Sequence, residues 1–314
     1  FAGTISNFIV HNKAVTTSEV TSLANNQVPT DSLKLNYDFT TTTRSQFMDA
    51  SLGTIVPEDA ILAYYVWIPR YKYQLFNVES TTMDPIEIQV TFEGKNVTKS
   101  SGTANGDWLT HPAFTFGTDE LSGIWVGKFE ITGSASSPTI KPGLNILTST
   151  NVYTHFSVSQ QFGTATYLNN MGVSQVDAHL MKNIEWGAVA YLKQSKYGLG
   201  LTNIAVNNDN SRITGGGSGL SYVTNVNQTT TGNIYGIYDM SGGSDENVMA
   251  ASLESGNTSI DYSSSGFTTD TLPFNSKYLD QYNYGSYNDY TRSILGDAMG
   301  ETTGWYGDAN RLTY

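Results

Sequence analysis

Catalysis and metal binding need particular side chains at particular spacings, and this chain withholds most of them. It has no cysteine, so disulfides, thiolate metal sites and cysteine nucleophiles are excluded together. His11, His111, His155 and His179 lie far apart and form neither H-x-x-x-H nor H-E-x-x-H, so no zinc-ligand spacing is present. Gly215-Gly216-Gly217 is not followed by Lys-Ser or Lys-Thr, and no G-x-S-x-G elbow occurs. Asp and Glu total 28, so carboxylate pairs arise by number alone, and no pair is marked out as a glycosidase would require. Asp245-Glu246-Asn247 offers hard oxygen donors of the kind calcium takes, without the ligand spacing of a recognisable calcium loop. A solvated acidic turn is the plainer reading of those three residues, and no cofactor is expected.

Recognition chemistry is better supplied. Tyr278, Tyr282, Tyr284, Tyr287 and Tyr290 alternate with Asp280, Asn283, Asn288 and Asp289, and Trp305-Tyr306-Gly307-Asp308 repeats the aromatic-acid combination. Tyrosine gives a large rigid contact at low entropic cost, while Asn, Asp, Ser and Gly add adaptable hydrogen bonds. Carbohydrate sites use the same kit. The expected ligand-binding residues are therefore Tyr282, Tyr284, Tyr287, Tyr290, Trp305, Tyr306 and Asp308. The competing reading is a long loop packed by its own tyrosines.

The run Gly232-Asn233-Ile234-Tyr235-Gly236-Ile237-Tyr238-Asp239-Met240-Ser241-Gly242-Gly243 resembles the core signature of the formylglycine-generating enzyme family, whose compact fold is shared with non-catalytic C-type-lectin-like binding proteins. Val126, Gly127, Lys128, Phe129, Glu130 and Thr132 match that family's early-strand pattern, and Asn183-Ile184-Glu185-Trp186 through Tyr191 is similar to its core helix. The glycines serve tight turns, and Ile234, Tyr235, Ile237, Tyr238 and Met240 are expected to fill the core. Asp245 stands where the family has an aromatic residue. The resemblance spans roughly residues 108–310. Because the family's enzymes act through thiols, it implies a binding module and not an enzyme. It also implies that the late loops face the ligand. Gly3, Ile5, Phe8, Ala14, Val15, Glu19 and Val20 resemble the closing segment of a laminin-G-like β-sandwich.

The elements that must position these residues read as follows. Ile5, Phe8 and Val10 mark a strand, Glu19–Ala24 a short helix and Leu33–Phe39 another strand. Ala60–Val78 reads as two strands broken at Pro69, with Tyr71, Tyr73 and Leu75 inward and Arg70, Lys72 and Gln74 outward. Ile86–Phe92, Trp108–Phe116 and Gly123–Thr132 read as further strands. Residues 176–192 carry apolar side chains at helical spacing, with Asp177 as the expected cap. Residues 198–219 are Gly/Asn-rich loops, and little periodicity follows 252.

The net charge of −12 and pI near 4.6 oppose binding to a phosphate backbone. No apolar run approaches the ~18 residues of a membrane span. Phe1 in place of Met suggests a processed or cut start, and no R-G-G or G-F-R closing strand follows Asp308, which suggests an incomplete domain. The expected fold is α+β: a loop-rich C-type-lectin-like domain of the formylglycine-generating-enzyme type over 60–314, after a β-sandwich remnant and linker over 1–59. The expected role is an adhesion or receptor-binding module, extracellular, on a bacterial surface, pilus or phage tail fibre. It would bind a glycan or a surface protein, with no nucleic acid and no membrane insertion. The alternative is a structural subunit of a self-assembling filament or virion, whose partners are other copies of itself.

Overall fold

A computed structural model describes residues 47, 49–75, 86–164, 167, 176–256, 259–260, 262–274, 276–283 and 295–297. The strands and helix expected within residues 1–39 lie outside these. The chain divides into two compact units, Phe1–Ala63 with Gln161–Asp177, and Tyr64–Gln160 with Ala178–Tyr314. In the first, a one-turn 3-10 segment, Glu58–Ala60, leads into the buried run Ala60 to Ala63, and Phe162 meets Tyr167 ring to ring at 5.3 Å.

The second unit is α+β and rich in loops, with small sheets and, among the described residues, two α-helices. Strand β1 (Tyr65–Pro69) ends at its proline, and β2 (Tyr71–Gln74) starts beyond Arg70. The break at Pro69 and the inward Tyr71, Tyr73 and Leu75 agree with the alternation in sequence. Arg70 departs from it: the guanidinium is fully buried, pairing with Glu93 at 2.9 Å and Glu120 at 2.6 Å. A cation can be buried there because two carboxylates offset its lost hydration.

β2 is the centre of a three-stranded antiparallel sheet, between β3 (Val90–Phe92) and β4 (Trp108–Thr110). The first is only the end of the strand expected from Ile86. A 3-10 turn, Pro112–Phe114, separates β4 from β5 (Thr115–Phe116), which forms a hairpin with β6 (Asp119–Glu120). β7 (Gly123–Gly127) pairs antiparallel with β1. Val66, Ile68, Ile124 and Val126 face the core, and the cross-strand pair Trp67 and Trp125 meets on the other face with centroids 5.1 Å apart and rings tilted at 55°. β8 (Thr132–Ser134) and β9 (Ser137–Thr139) form a separate hairpin, so the expected single strand to Thr132 is two elements.

Helix α1 (Val152–Gln161) was not expected from its polar composition. Its signal was Asn151, whose Oδ1 accepts the Thr154 N–H at 2.9 Å as an N-cap. Helix α2 (Asn183–Lys193) starts later than the apolar spacing predicts, and Asp177 does not cap it. Residues 178–181 carry no regular structure, and Lys182, in extended backbone, is bridged to Met249. Leu180 belongs to a different apolar cluster from Ala188–Tyr191, so the apparent helical stripe joined two cores.

The main core gathers β1, β2, β3, β7 and α2 with Ile237 and Met240. Tyr71 ties sheet to helix, its hydroxyl donating to Ala188 O at 2.7 Å. Of the signature's apolar residues, Ile237, Tyr238 and Met240 are buried. Tyr235 is 48% exposed and does not fill the core as expected. A second core of Phe156, Leu180, Met249, Ile260, Phe267 and Leu279 supports the late region, where β10 (Ala250–Ser252) pairs in parallel with β11 (Asp280–Tyr282). No helix among the described residues is long and apolar enough to cross a membrane.

Candidate functional site

The N-terminus of α2 holds the late part of the chain. A helix start leaves backbone N–H groups without intrahelical acceptors and carries partial positive charge. Glu185 reaches back to the Lys182 N–H at 2.8 Å, as the acid of a capping box does. The Ile184 N–H goes to a remote acceptor, Asp280 Oδ2, at 2.9 Å. Asp280 is buried and has Lys182 Nζ at 3.7 Å. Burial pushes its carboxyl up to about 6, against the pull of Lys182 and the Ile184 N–H.

At the first residue of the helix, Asn183 Nδ2 donates to Tyr282 Oη at 2.7 Å and to Asp297 Oδ1 at 3.0 Å. Tyr282 donates its hydroxyl to Asp297 Oδ2, and Tyr191 donates to the Asp297 carbonyl at 2.9 Å. Burial, then the Asp297 charge, push the Tyr282 hydroxyl well above its ordinary value, so it remains a donor. Residues 282 and 297 are thus stapled to each other and to one helix end.

Tyr282 is 5% exposed. It anchors the interior, and the ligand contact expected of it is corrected to that role. Tyr284, Tyr287, Tyr290, Trp305, Tyr306 and Asp308 lie outside the described residues. Tyr278 packs inward against Phe116, Phe156 and His179.

The signature turn carries a second feature. Gly242 and Gly243 take φ of +84° and +77°. A Cβ on Gly243 would stand 2.6 Å from Glu130 Oε1, which instead accepts the Ser244 N–H at 3.0 Å. Asp239, at φ +62°, is 1% exposed. Its Oδ1 accepts from Asn207 Nδ2 and the Gly215 N–H, both at 2.9 Å.

Burial pushes the Glu130 carboxyl up to about 9; the Ser244 N–H opposes this, and the charges of Glu246, Asp239 and Asp245 add to it. Burial raises the Asp239 carboxyl, against the Gly215 N–H, the Asn207 side chain and the Glu130 backbone N–H. Glu246 accepts from Trp186 Nε1. Crowding by protein atoms pushes its carboxyl upward, and solvent contact screens that push.

Asp245, Glu246 and Asn247 are exposed, as a solvated acidic turn would be. A cleft of about 260 Å³ opens between Arg212 and residues 242–245. Among the described residues, no three His, Asp or Glu side chains converge as a metal would need. Sequence reading passed over Glu130 and Asp239; their signal was an acid set inside an apolar run, Phe129-Glu130-Ile131 and Tyr238-Asp239-Met240. No protein-family model matches the chain, and no characterised protein matches it in sequence.

Proposed function

We propose that this chain is a recognition module and not a catalyst. In this reading a C-type-lectin-like scaffold of the formylglycine-generating-enzyme type displays the tyrosine-rich residues 284–290 to a glycan or a surface protein. The setting is extracellular, on a bacterial surface or a phage tail fibre. One observation carries the reading: the Tyr282–Asp297–Asn183 staple closes the ends of a segment that contains Tyr284, Tyr287 and Tyr290. Tying residues 282 and 297 to a helix reduces the ordering entropy that a ligand of the intervening residues must otherwise overcome.

Trp305, Tyr306 and Asp308 are proposed as a second part of the same surface, on their chemistry alone. The test is binding of the purified chain to a glycan array and to whole bacterial cells. Saturable binding is the expected result. A folded chain that binds neither and assembles into ordered filaments, seen by electron microscopy, would replace this reading with the structural-subunit one.

A further inference from the structure

Lys128 follows β7 and is partly exposed. Its ammonium nitrogen stands among four aromatic rings, with centroids at 5.5 Å (Tyr222), 5.7 Å (Phe129), 5.9 Å (Tyr238) and 6.0 Å (Tyr64). Among the described residues it donates one hydrogen bond, to the Ile234 carbonyl. No carboxylate among the described residues lies within ion-pair distance of it. The nearest acids in sequence are turned elsewhere: Asp239 toward Asn207 and Gly215, Glu130 toward Ser244. The other titratable groups facing it are the hydroxyls of Tyr64, Tyr222 and Tyr238, and that of Tyr238 donates to the Tyr222 carbonyl.

Lysine at a protein surface is usually hydrated or paired, and this one is neither fully. The rings lie within the roughly 6 Å reach of cation–π attraction and return part of the lost hydration, without the full charge of a carboxylate partner. A desolvated amine without a counter-ion is the setting in which lysine becomes a nucleophile.

We infer that Lys128 is a carbonyl-capturing amine, a modification site for small aldehydes, including the open-chain form of reducing sugars. The neutral amine's lone pair adds to the carbonyl carbon, and the oxygen takes a proton. The carbinolamine then loses water, leaving a C=N bond to Nζ and returning the remaining amine proton to solvent. No oxidant or reductant is consumed. Burial supports this chemistry by pushing the amine down to about 8, so a substantial fraction is neutral at mildly alkaline pH.

The inference does not rest on the recognition reading. Its test is to expose the intact chain to glyceraldehyde with cyanoborohydride, whose hydride reduces the imine to a stable amine, and to map adducts by peptide mass spectrometry over pH 6.5–10.5. Lys128 is expected to label at least tenfold faster than exposed Lys95 at pH 7.5, with its rate levelling off above about pH 8. A Lys128→Arg variant should lose that adduct and keep the others. Labelling of Lys128 no faster than Lys95 at pH 7.5 would overturn the inference and leave the cage a purely structural clamp.

Discussion

At the residue scale, the most consequential groups are acids held away from water. Glu130 is raised in the folded chain, from its ordinary 4.5 to about 9. Between those values the folded state holds a proton that the unfolded state releases, so stability falls as pH rises. The contribution is complete below about 4.5 and is lost through about 9. Glu130→Gln should therefore raise the thermal midpoint above wild type at pH 8.5, with little difference at pH 4.5. Thermal melts across that range check it; parallel pH profiles for the two proteins would contradict it. Tyr282→Phe should cost about 1–2 kcal/mol in denaturant unfolding, because Asp297 Oδ2 loses its buried donor. A residue placed to contact ligand would show no such loss.

At the element scale, α2 is started by residues it does not contain. Asp280, far along the chain, supplies the acceptor that a local N-cap side chain would otherwise give. Asp280→Ala should lower stability by about 1–2 kcal/mol, in the range of a lost cap, and should speed amide hydrogen exchange at residues 183–186 above the rest of the helix. Uniform exchange along α2 would contradict the capping role. The same contact explains what sequence reading could and could not see here. The Pro69 break and the inward Tyr71, Tyr73 and Leu75 were legible, because strand alternation and proline are local signals. The start of α2 was not, since its cap comes from Asp280 and its apparent apolar stripe runs through Leu180 into another core. Tyr282 was misread for a related reason: its tyrosine-rich neighbourhood looks like a binding surface, while its partners Asn183 and Asp297 are distant in sequence. Asn151 was a readable cap whose helix was hidden by polar composition.

At the scale of the whole molecule, the low charge density and the acidity are compatible with the proposed recognition role. Cores that draw in residues from across the second unit support long connecting segments, and α2 is where the late segments are tied down. The central claim is that Tyr284, Tyr287 and Tyr290 make the contact while Tyr282 holds the segment's base. The most direct measurement is binding to whole cells or to an array glycan by three proteins: wild type, the Tyr284/Tyr287/Tyr290→Ala variant, and Tyr282→Phe. The triple variant should keep wild-type unfolding behaviour and lose at least tenfold in affinity, which is about 1.4 kcal/mol. Tyr282→Phe should show the reverse, with stability reduced and any residual folded protein still binding. A triple variant that is equally stable and binds as tightly as wild type would contradict the account.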